Sequence, residues 1–318
     1  MLDSFGRSIN YLRISLTDRC NLRCQYCMPE KGLKNKVTHK DILTIEEVYH
    51  LIKEFVDLGI DKIRFTGGEP LIRKGIIDLI EKVNTLEGVK DLTITTNGLL
   101  LKDMAKSLKK AGIHRVNISL DTLNKDKYSE ITRGGDLSRV LEGIEEGIRV
   151  GLTPIKINTV LIGGFNENEI EDLVNLTRRG IDVRFIELMP IGEAMYFAKD
   201  KFVSNSRVLE TIRDLVPVER EDKSSPAVYY KLPDAKGRVG IINPVSCKFC
   251  DNCNRVRLTS TGKLKTCLHS NKEIDLKAAI RKQENIKEII KKGILSKEES
   301  HHLEEGKYTY RNMNQIGG

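Results

Sequence analysis

Residues 11–27 read YLRISLTDRCNLRCQYC and carry the most informative pattern in this 318-residue chain. The first part, Tyr11–Thr17, is mostly apolar, aromatic or β-branched and predicts a strand. A short polar turn follows, and then come three cysteines, Cys20, Cys24 and Cys27, spaced C-x3-C-x2-C. A strand that runs directly into a ligand-bearing loop is typical of α/β folds, whose active sites lie at the carboxyl ends of the strands.

In the first two-thirds of the chain, short runs of strand-forming residues alternate with amphipathic helical segments. Further strands are predicted at Lys62–Thr66, Leu92–Thr96, Arg115–Leu120, Ile155–Leu161 and Val183–Leu188. Helices are predicted at Thr44–Leu58, Ile76–Asn84, Lys102–Ala111, Leu137–Val150 and Glu167–Arg178. Such alternation implies parallel strands with helical crossovers. We therefore expect an α/β fold, a partial (β/α)6 TIM-like barrel, with an open doubly wound sheet as the alternative.

The pattern changes after Ser204. A helix at Ser206–Leu215, β-like segments at Ala227–Leu232, Arg238–Asn243 and Arg255–Thr259, and a charged helix at Lys272–Lys292 are predicted there. We therefore divide the chain into a barrel part, residues 1–225, and a C-terminal region, residues 226–318. The segment Thr132-Arg133-Gly134-Gly135 also stands out, but the residues alone assign it no role.

The composition predicts a soluble, cytoplasmic protein with an anionic partner. Hydrophobic residues make up 39% of the chain, which is enough for a core. No apolar run approaches the roughly 20 residues that span a bilayer, and the first ten residues do not resemble a signal peptide. The net charge of +8 favours an anionic partner. An aromatic content of 5% and the absence of Trp argue against nucleic acid bound by base stacking.

The seven cysteines fall into two tight groups far apart in the sequence. An odd, clustered set in a cytoplasmic chain favours metal binding over disulfides. Three thiolates, as in the first group, are one short of the four that fill a tetrahedral zinc site or a cubane iron–sulfur cluster. The first group therefore predicts either a cluster with one open iron or a zinc knuckle completed by His39 or by other cysteines.

The C-x3-C-x2-C loop after a first strand resembles the radical S-adenosylmethionine superfamily. The resemblance implies a [4Fe–4S] cluster on Cys20, Cys24 and Cys27, whose open iron is chelated by S-adenosylmethionine. Gly67-Gly68-Glu69-Pro70 is similar to the element that holds the methionine amino group in that superfamily. Residues that the resemblance, together with their positions at strand ends, marks as cofactor contacts are Tyr26, Gly68, Glu69, Thr95, Ser119 and Met189.

The second cysteine group reads FCDNCNRVRLT from Phe249 and continues to Cys267. This pattern resembles the GTP 3′,8-cyclase family, as do residues 11–21 and the terminal Gly317-Gly318. The resemblance implies a second [4Fe–4S] cluster on Cys250, Cys253 and Cys267, in a C-terminal extension that closes the barrel mouth. Cys247 is expected to be a bystander. If it is a fourth ligand, the site is a zinc ribbon or a fully ligated cubane without an open iron.

The resemblance implies an enzyme that cyclises GTP to 3′,8-cyclo-7,8-dihydroguanosine 5′-triphosphate, the first step of molybdenum cofactor biosynthesis. An adenosyl radical would remove the hydrogen from C3′ of GTP, and C3′ would then attack C8 of guanine. A flavodoxin or ferredoxin would supply electrons, and the product would pass to cyclic pyranopterin monophosphate synthase. The resemblance also suggests a homodimer, with neither membrane nor nucleic acid as a partner.

A triphosphate requires cationic partners, and Arg suits it by its fork of donors. Arg255 and Arg257 are two apart in a predicted strand and share a face, and Arg13 has the parity of the barrel interior. The predicted GTP-binding residues are Arg13, Lys62, Arg64, Lys156, Arg184, Arg255 and Arg257. Those expected at the reacting centre are Arg13, Arg255, Arg257 and the tail glycines Gly317 and Gly318, because a side-chain-free tail can enter a pocket.

Two other functions remain open from the sequence. One is a radical maturase that acts on a peptide, and the other is a zinc-containing nucleic-acid-binding protein. The first needs a peptide groove, for which the sequence shows no sign. The second predicts a colourless protein, whereas iron–sulfur clusters are brown.

Overall fold

A computed structural model describes residues 1–32, 37, 38, 40–306 and 308–317. The six predicted strands lie side by side in chain order, and all neighbours are parallel. They are β1 (Tyr11–Ser15), β2 (Lys62–Thr66), β3 (Asp91–Thr96), β4 (Arg115–Ser119), β5 (Lys156–Leu161) and β6 (Asp182–Glu187). The predicted α/β class with a parallel sheet is confirmed.

Six helices belong to this repeating part: α1 (Ile45–Asp57), α2 (Ile76–Asn84), α3 (Leu101–Ala111), α4 (Lys125–Thr132), α5 (Leu137–Arg149) and α6 (Ile170–Asn175). The capping box at α1 is present, because the Thr44 hydroxyl accepts from the Glu47 amide and the Glu47 carboxylate accepts from the Thr44 amide. The predicted helix Glu167–Arg178 is shorter, since 3₁₀ turns flank α6 on both sides. The short helix α4 was not predicted, because it is mostly polar and buries few residues.

The remaining elements are α7 (Ala194–Lys201), α8 (Ser206–Thr211), β7 (Val216–Pro217), β8 (Val228–Lys231), β9 (Val239–Ile242), β10 (Arg255–Leu258), β11 (Lys263–Lys265), β12 (Ile274–Asp275), α9 (Leu276–Arg281), α10 (Ile286–Leu295) and α11 (Met313–Ile316). Strand β9 adds in parallel to β6, and β10 adds in parallel to β1. The C-terminal region thus extends the parallel sheet to eight strands instead of only covering its end. Outside them, β7–β8 and β11–β12 are antiparallel.

The single helix predicted at Lys272–Lys292 is wrong. The segment contains β12, α9 and α10, and the two helices are separated at Gln283, which has a left-handed φ of 56°. Asn285 then caps α10 by accepting from the Glu288 amide at 3.2 Å. Charged residues of both signs run through the whole stretch, so its composition does not change where the first helix ends. Asn285 is nevertheless a residue type that favours the start of a helix.

The sheet is strongly curled. Strands β1 and β6 are five strand spacings apart in the sheet order, which corresponds to roughly 24 Å in a flat sheet. Nevertheless Tyr11 on β1 and Arg184 on β6 line one cavity of about 270 Å³. This curvature favours the barrel-like arrangement over the open doubly wound sheet. Strands β9 and β10 pair outward with β8 and β11, so the barrel is incomplete.

The two faces of the curled sheet differ in polarity. Leu12 and Ile14 of β1 and Phe65 of β2 are fully buried in the hydrophobic core. The alternate positions point inward and are polar, as with Arg13, which is in register with both Arg64 and Arg257. The division at residue 225 stays a prediction, and the sheet runs through both parts. No helix in the described part of the chain has the length and apolar character to cross a bilayer.

Candidate active site

The first cysteine group lies on the loop that follows β1. The Cys27 amide donates to the Cys24 carbonyl at 2.9 Å and folds the loop into a turn. All three thiols are partly buried and none is in a disulfide. Burial raises the pKa of Cys20 to about 11 and, together with the nearby Cys20 thiol, that of Cys27 to about 12. Three neighbouring thiols of this kind have the donor chemistry that an iron–sulfur cluster requires, since the metal can replace their protons.

Gly68 and Glu69 connect this loop to the ends of β2 and β3. A Cβ on Gly68 would lie 2.2 Å from the Arg19 carbonyl oxygen, so the close approach that requires glycine is to the backbone before Cys20. The fully buried Glu69 carboxylate accepts from the Leu71 amide, the Thr96 hydroxyl and the Asn97 amide at 2.8–2.9 Å. Burial raises the pKa of Glu69 to about 7.

The other predicted cofactor contacts lie around the same end of the sheet. The Thr95 hydroxyl is buried without a hydrogen-bond partner, and Ser119 ends β4 in register with Asn158. The Tyr26 hydroxyl donates to Asp121 at 2.6 Å, and the Tyr26 ring packs against the small apolar cluster that contains Leu188. Met189 follows β6 directly and is half-buried. These positions surround the carboxyl ends of the strands, but their role as cofactor contacts stays a prediction.

The second cysteine group lies at the opposite end of the sheet. Cys250 and Cys253 precede β10, and Cys267 follows the antiparallel strand β11, so all three are at the amino end of β10. Burial raises the pKa of Cys253, but Lys297 and Arg255 more than offset this, so that the pKa lies below its usual value. A cationic surrounding of this kind favours thiolate, the form that binds metal.

Basic side chains from the N-terminal and C-terminal segments hold this second group. Arg7 is buried, pairs with Asp3 at 2.7 Å and donates to the Cys250 carbonyl at 2.9 Å. The buried Lys297 ammonium donates to the Thr266 carbonyl, next to Cys267. Cys247, by contrast, is exposed. Among the residues that the structure describes, no three His, Cys, Asp or Glu side chains gather as tightly as a single metal ion requires.

Five of the predicted substrate residues line the cavity of about 270 Å³ on the inner face of the sheet. They are Lys62, Arg64, Lys156, Arg184 and Arg255. The cavity lies at the amino ends of the strands, since Tyr11, Lys62 and Lys156 are each the first residue of a strand. Its lining contains eight cationic and four acidic side chains, so its excess charge is positive. A polyanion of nucleotide size therefore suits it.

Several of these cations already have partners. Lys62 meets Asp222 at 3.2 Å and Lys156 meets Asp182 at 3.1 Å. Arg255 donates to the Ser224 carbonyl at 2.5 Å. Arg64 donates to the Thr93 hydroxyl at 3.3 Å, whereas the Nε of Arg184 is buried without a partner.

Arg13 and Arg257 lie one pleat further along β1 and β10, between the cavity and the first cysteine loop. Burial and the neighbouring Arg257 and Arg64 hold the pKa of Arg13 well below its usual value. Arg257 donates to the carbonyl oxygen of Gly317. The tail therefore does reach the inner face of the sheet. Gly318 and His39 lie outside the described residues.

Arg115, the first residue of β4, lines the cavity but was not predicted. The alternation of inward and outward side chains along a strand, which identified Arg13 and Arg64, would also have identified it. Arg238 was missed because it precedes β9, whose place in the parallel sheet has no local signal. Asn97 was missed as well, although its side chain contacts the Cys20 sulfur at 3.6 Å.

Comparison with protein-family models gives two matches. Residues 14–177 match the Radical SAM superfamily, and residues 181–303 match Molybdenum Cofactor Synthesis C. The chain is 58% identical over 322 residues to the GTP 3′,8-cyclase of Alkaliphilus oremlandii (strain OhILAs) and 51% identical over 321 residues to that of Clostridium botulinum (strain Langeland / NCTC 10281 / Type F). In both cases the match covers 100% of this chain and 100% of the relative.

Among solved structures, Streptococcus suis SuiB bound to precursor peptide SuiA matches with a TM-score of 0.62. The match covers 98% of this chain and 77% of that one at 16% identity, so it shows a shared fold alone. The full-length relatives point away from both alternatives that the sequence left open, the peptide maturase and the zinc-containing nucleic-acid-binding protein.

Proposed function

Since the chain belongs to the GTP 3′,8-cyclase family of the radical S-adenosylmethionine superfamily, we propose that it converts GTP to 3′,8-cyclo-7,8-dihydroguanosine 5′-triphosphate, the first step of molybdenum cofactor biosynthesis. The observation that carries this proposal is the position of two three-cysteine groups at opposite ends of one curled sheet, with a cationic inner face between them.

Superfamily membership implies a [4Fe–4S] cluster and S-adenosylmethionine, for which Cys20, Cys24 and Cys27 supply the thiolates. When bound there, this pair supplies the 5′-deoxyadenosyl radical that removes hydrogen from C3′ of GTP. Gly68, Glu69, Tyr26, Thr95, Ser119 and Met189 would bind the cofactor. The unpartnered Thr95 hydroxyl supports this assignment, since a buried hydroxyl without a hydrogen bond is costly unless a ligand provides one.

A second [4Fe–4S] cluster on Cys250, Cys253 and Cys267 is the further part of the proposal. Its support is the set of thiols at the amino end of β10 and the cations that surround them. Three thiolate ligands would leave one iron without a protein ligand. The guanine of GTP would bind at this site. Cys247 is exposed, which supports its role as a bystander.

Substrate binding would fall to the inner face of the sheet. Lys62, Arg64, Lys156, Arg184 and Arg255 would bind the triphosphate, because they converge on one cavity and cationic donors form strong hydrogen bonds with phosphate oxygens. Arg13 and Arg257 would orient the nucleotide near the first cysteine loop. The tail, with Gly317 and Gly318, would exclude water from the reacting atoms.

The partners follow from the same family membership. A flavodoxin or ferredoxin would donate electrons, and cyclic pyranopterin monophosphate synthase would take up the product. A homodimer and a cytoplasmic location are also proposed.

The test is an anaerobic assay of the full chain after reconstitution. We expect about eight irons per chain, four for each cubane, and a cyclised GTP isomer by mass spectrometry that depends on S-adenosylmethionine and reductant. Cys267→Ala should lose the second cluster, whereas Cys247→Ala should keep it. About four irons plus zinc, with unchanged GTP, would overturn both the second cluster and the cyclase assignment.

A further inference from the structure

The end of helix α4 has an unusual backbone. Arg133 follows Thr132 with a φ of 55°, in the left-handed region, and only Arg133 and Gln283 do so among the non-glycine residues that the structure describes. The Arg133 amide donates to Glu130 and the Gly134 amide donates to Ser129, which closes the helix. Gly or Asn would adopt this conformation more easily. The choice of arginine therefore calls for a reason in its side chain.

That side chain holds the first cysteine loop at two points. Nη1 of Arg133 donates to the carbonyl oxygen of Arg23 at 3.0 Å and to that of Met28 at 2.9 Å. Arg23 precedes Cys24, and Met28 follows Cys27. One guanidinium thus fixes both ends of the segment that carries two of the three thiols.

The backbone before Arg133 makes a second set of bonds to the same loop. The Arg23 amide donates to the Thr132 carbonyl at 3.1 Å, and the Gln25 amide donates to the Ile131 carbonyl at 2.9 Å. These two amides flank Cys24. The residue that carries the middle thiol is therefore fixed on both sides by the end of α4.

Gly135, the last residue of the segment, closes the turn through its backbone amide. The Thr132 hydroxyl accepts from the Gly135 amide at 2.9 Å. A Cβ on Gly135 would lie 2.6 Å from the Thr132 hydroxyl oxygen and 3.0 Å from Leu22, which sits between Cys20 and Cys24. Glycine therefore lets the turn close tightly on helix α4, with Leu22 of the loop packed beside it.

We propose that Thr132-Arg133-Gly134-Gly135 is a clamp that holds the first cysteine loop in its cluster-binding shape, with Arg133 as its positioning residue. Without these bonds, the loop would have to be ordered when its cluster and S-adenosylmethionine bind. The clamp provides that order in advance. This inference rests on the presence of a cluster on the first loop and is independent of GTP as the substrate.

The test compares Arg133→Gly with Gln283→Gly. Both changes replace a left-handed residue by glycine at the end of a helix, but only the first removes the bonds to the cysteine loop. In cluster-free protein, hydrogen exchange should accelerate about tenfold at the Arg23 and Gln25 amides of Arg133→Gly, as expected for losing one or two hydrogen bonds. Gln283→Gly should leave these amides unchanged.

The same pair is then reconstituted in a Cys250→Ala, Cys253→Ala, Cys267→Ala background, which retains only the first group. We expect Arg133→Gly to hold at most half the iron of the Gln283→Gly control and to show a smaller change in its electron paramagnetic resonance signal when S-adenosylmethionine is added. Arg133→Lys, which keeps a cationic donor, should recover part of both.

Thermal unfolding of the cluster-free variants separates positioning from folding. Because relief of the left-handed backbone offsets the loss of the two side-chain hydrogen bonds, Arg133→Gly should unfold close to the temperature of the parent. Equal exchange rates and equal iron in the two glycine variants would overturn the clamp. So would a global loss of folding with uniformly fast exchange. None of these readouts uses GTP, so they stay informative whatever the substrate is.

Discussion

Arg257 binds the penultimate residue of the chain, because its Nη1 donates a hydrogen bond of 2.5 Å to the carbonyl oxygen of Gly317. Burial, with the nearby Arg255, lowers the pKa of Arg257 to about 10. This value is still well above neutral pH, so the guanidinium is cationic there. Gly317 has a φ of 82° and lies against Ser15 and Thr66, at the carboxyl ends of β1 and β2. The tail is therefore part of the inner face of the sheet.

We expect Gly317→Ala to reduce GTP turnover at least about tenfold. A Cβ there would lie 2.1 Å from the Thr66 hydroxyl oxygen in a conformation that L residues rarely adopt, so the tail must move. The measurement is GTP-dependent formation of 5′-deoxyadenosine and cyclised nucleotide. Gly306→Ala is the matched control, because its φ is 72° and no atom lies within 4 Å of the added Cβ. Equal losses in the two variants would mean that the tail acts only through backbone strain.

Arg184→Met should weaken GTP binding by about ten- to a hundredfold, because a buried charge-assisted hydrogen bond is lost. Arg184 donates from Nη2 to the Asn117 side-chain oxygen, and its buried Nε has no hydrogen-bond partner. Guanosine, which has no phosphates, should bind equally well to the variant and to the parent. Equilibrium binding of both ligands checks this, with the exposed Arg207→Met as the control. A loss of guanosine binding would contradict a phosphate role.

S-adenosylmethionine affinity should fall as the pH is lowered from 8 to 6. Burial raises the pKa of Glu69 to about 7, so below that pH the carboxyl is protonated and is a weaker hydrogen-bond acceptor for the cofactor's amino group. Above pH 7 the carboxylate is ionised and affinity should level off. The Glu69→Gln variant should bind more weakly and lose this transition. Because burial also raises the pKa of Asp121 to about 6, any dependence left in the variant should be centred lower. Binding isotherms across the range would reveal a flat parent curve if Glu69 plays no part.

Lys297→Met should weaken the second cysteine site while leaving the first intact. The Lys297 ammonium favours the Cys253 thiolate and holds the carbonyl beside Cys267. We expect alkylation of Cys253 in cluster-free protein to slow severalfold near pH 7, since its thiolate fraction falls. Iron bound after reconstitution should approach four atoms per chain, the content of one cubane. The exposed Lys292→Met should match the parent in both measurements.

The local patterns of the sequence were sufficient for the strands, most helices and the cysteine groups. A strand such as Lys62–Thr66 and a helix such as Ile76–Asn84 were predicted with their observed bounds, because hydrophobic periodicity and end signals act over a few residues. The interior position of Arg64 and Lys156 followed from the alternation of a strand, which is equally local. The break at Gln283 was missed because charge alone carries no period.

Only the tertiary structure decided which distant segments meet. Strand β9 pairs with β6, and β10 pairs with β1, through backbone hydrogen bonds. The pattern of side chains along a strand does not indicate which distant strand its backbone will pair with. The contact of Arg133 with the loop of Cys24 and Cys27 spans more than a hundred residues. The sequence determined which residues could bind a cluster, a cofactor or a phosphate, because that is a property of their chemistry. Their arrangement at two ends of one curled sheet is a property of the packing, which brings together residues that no short window of sequence contains.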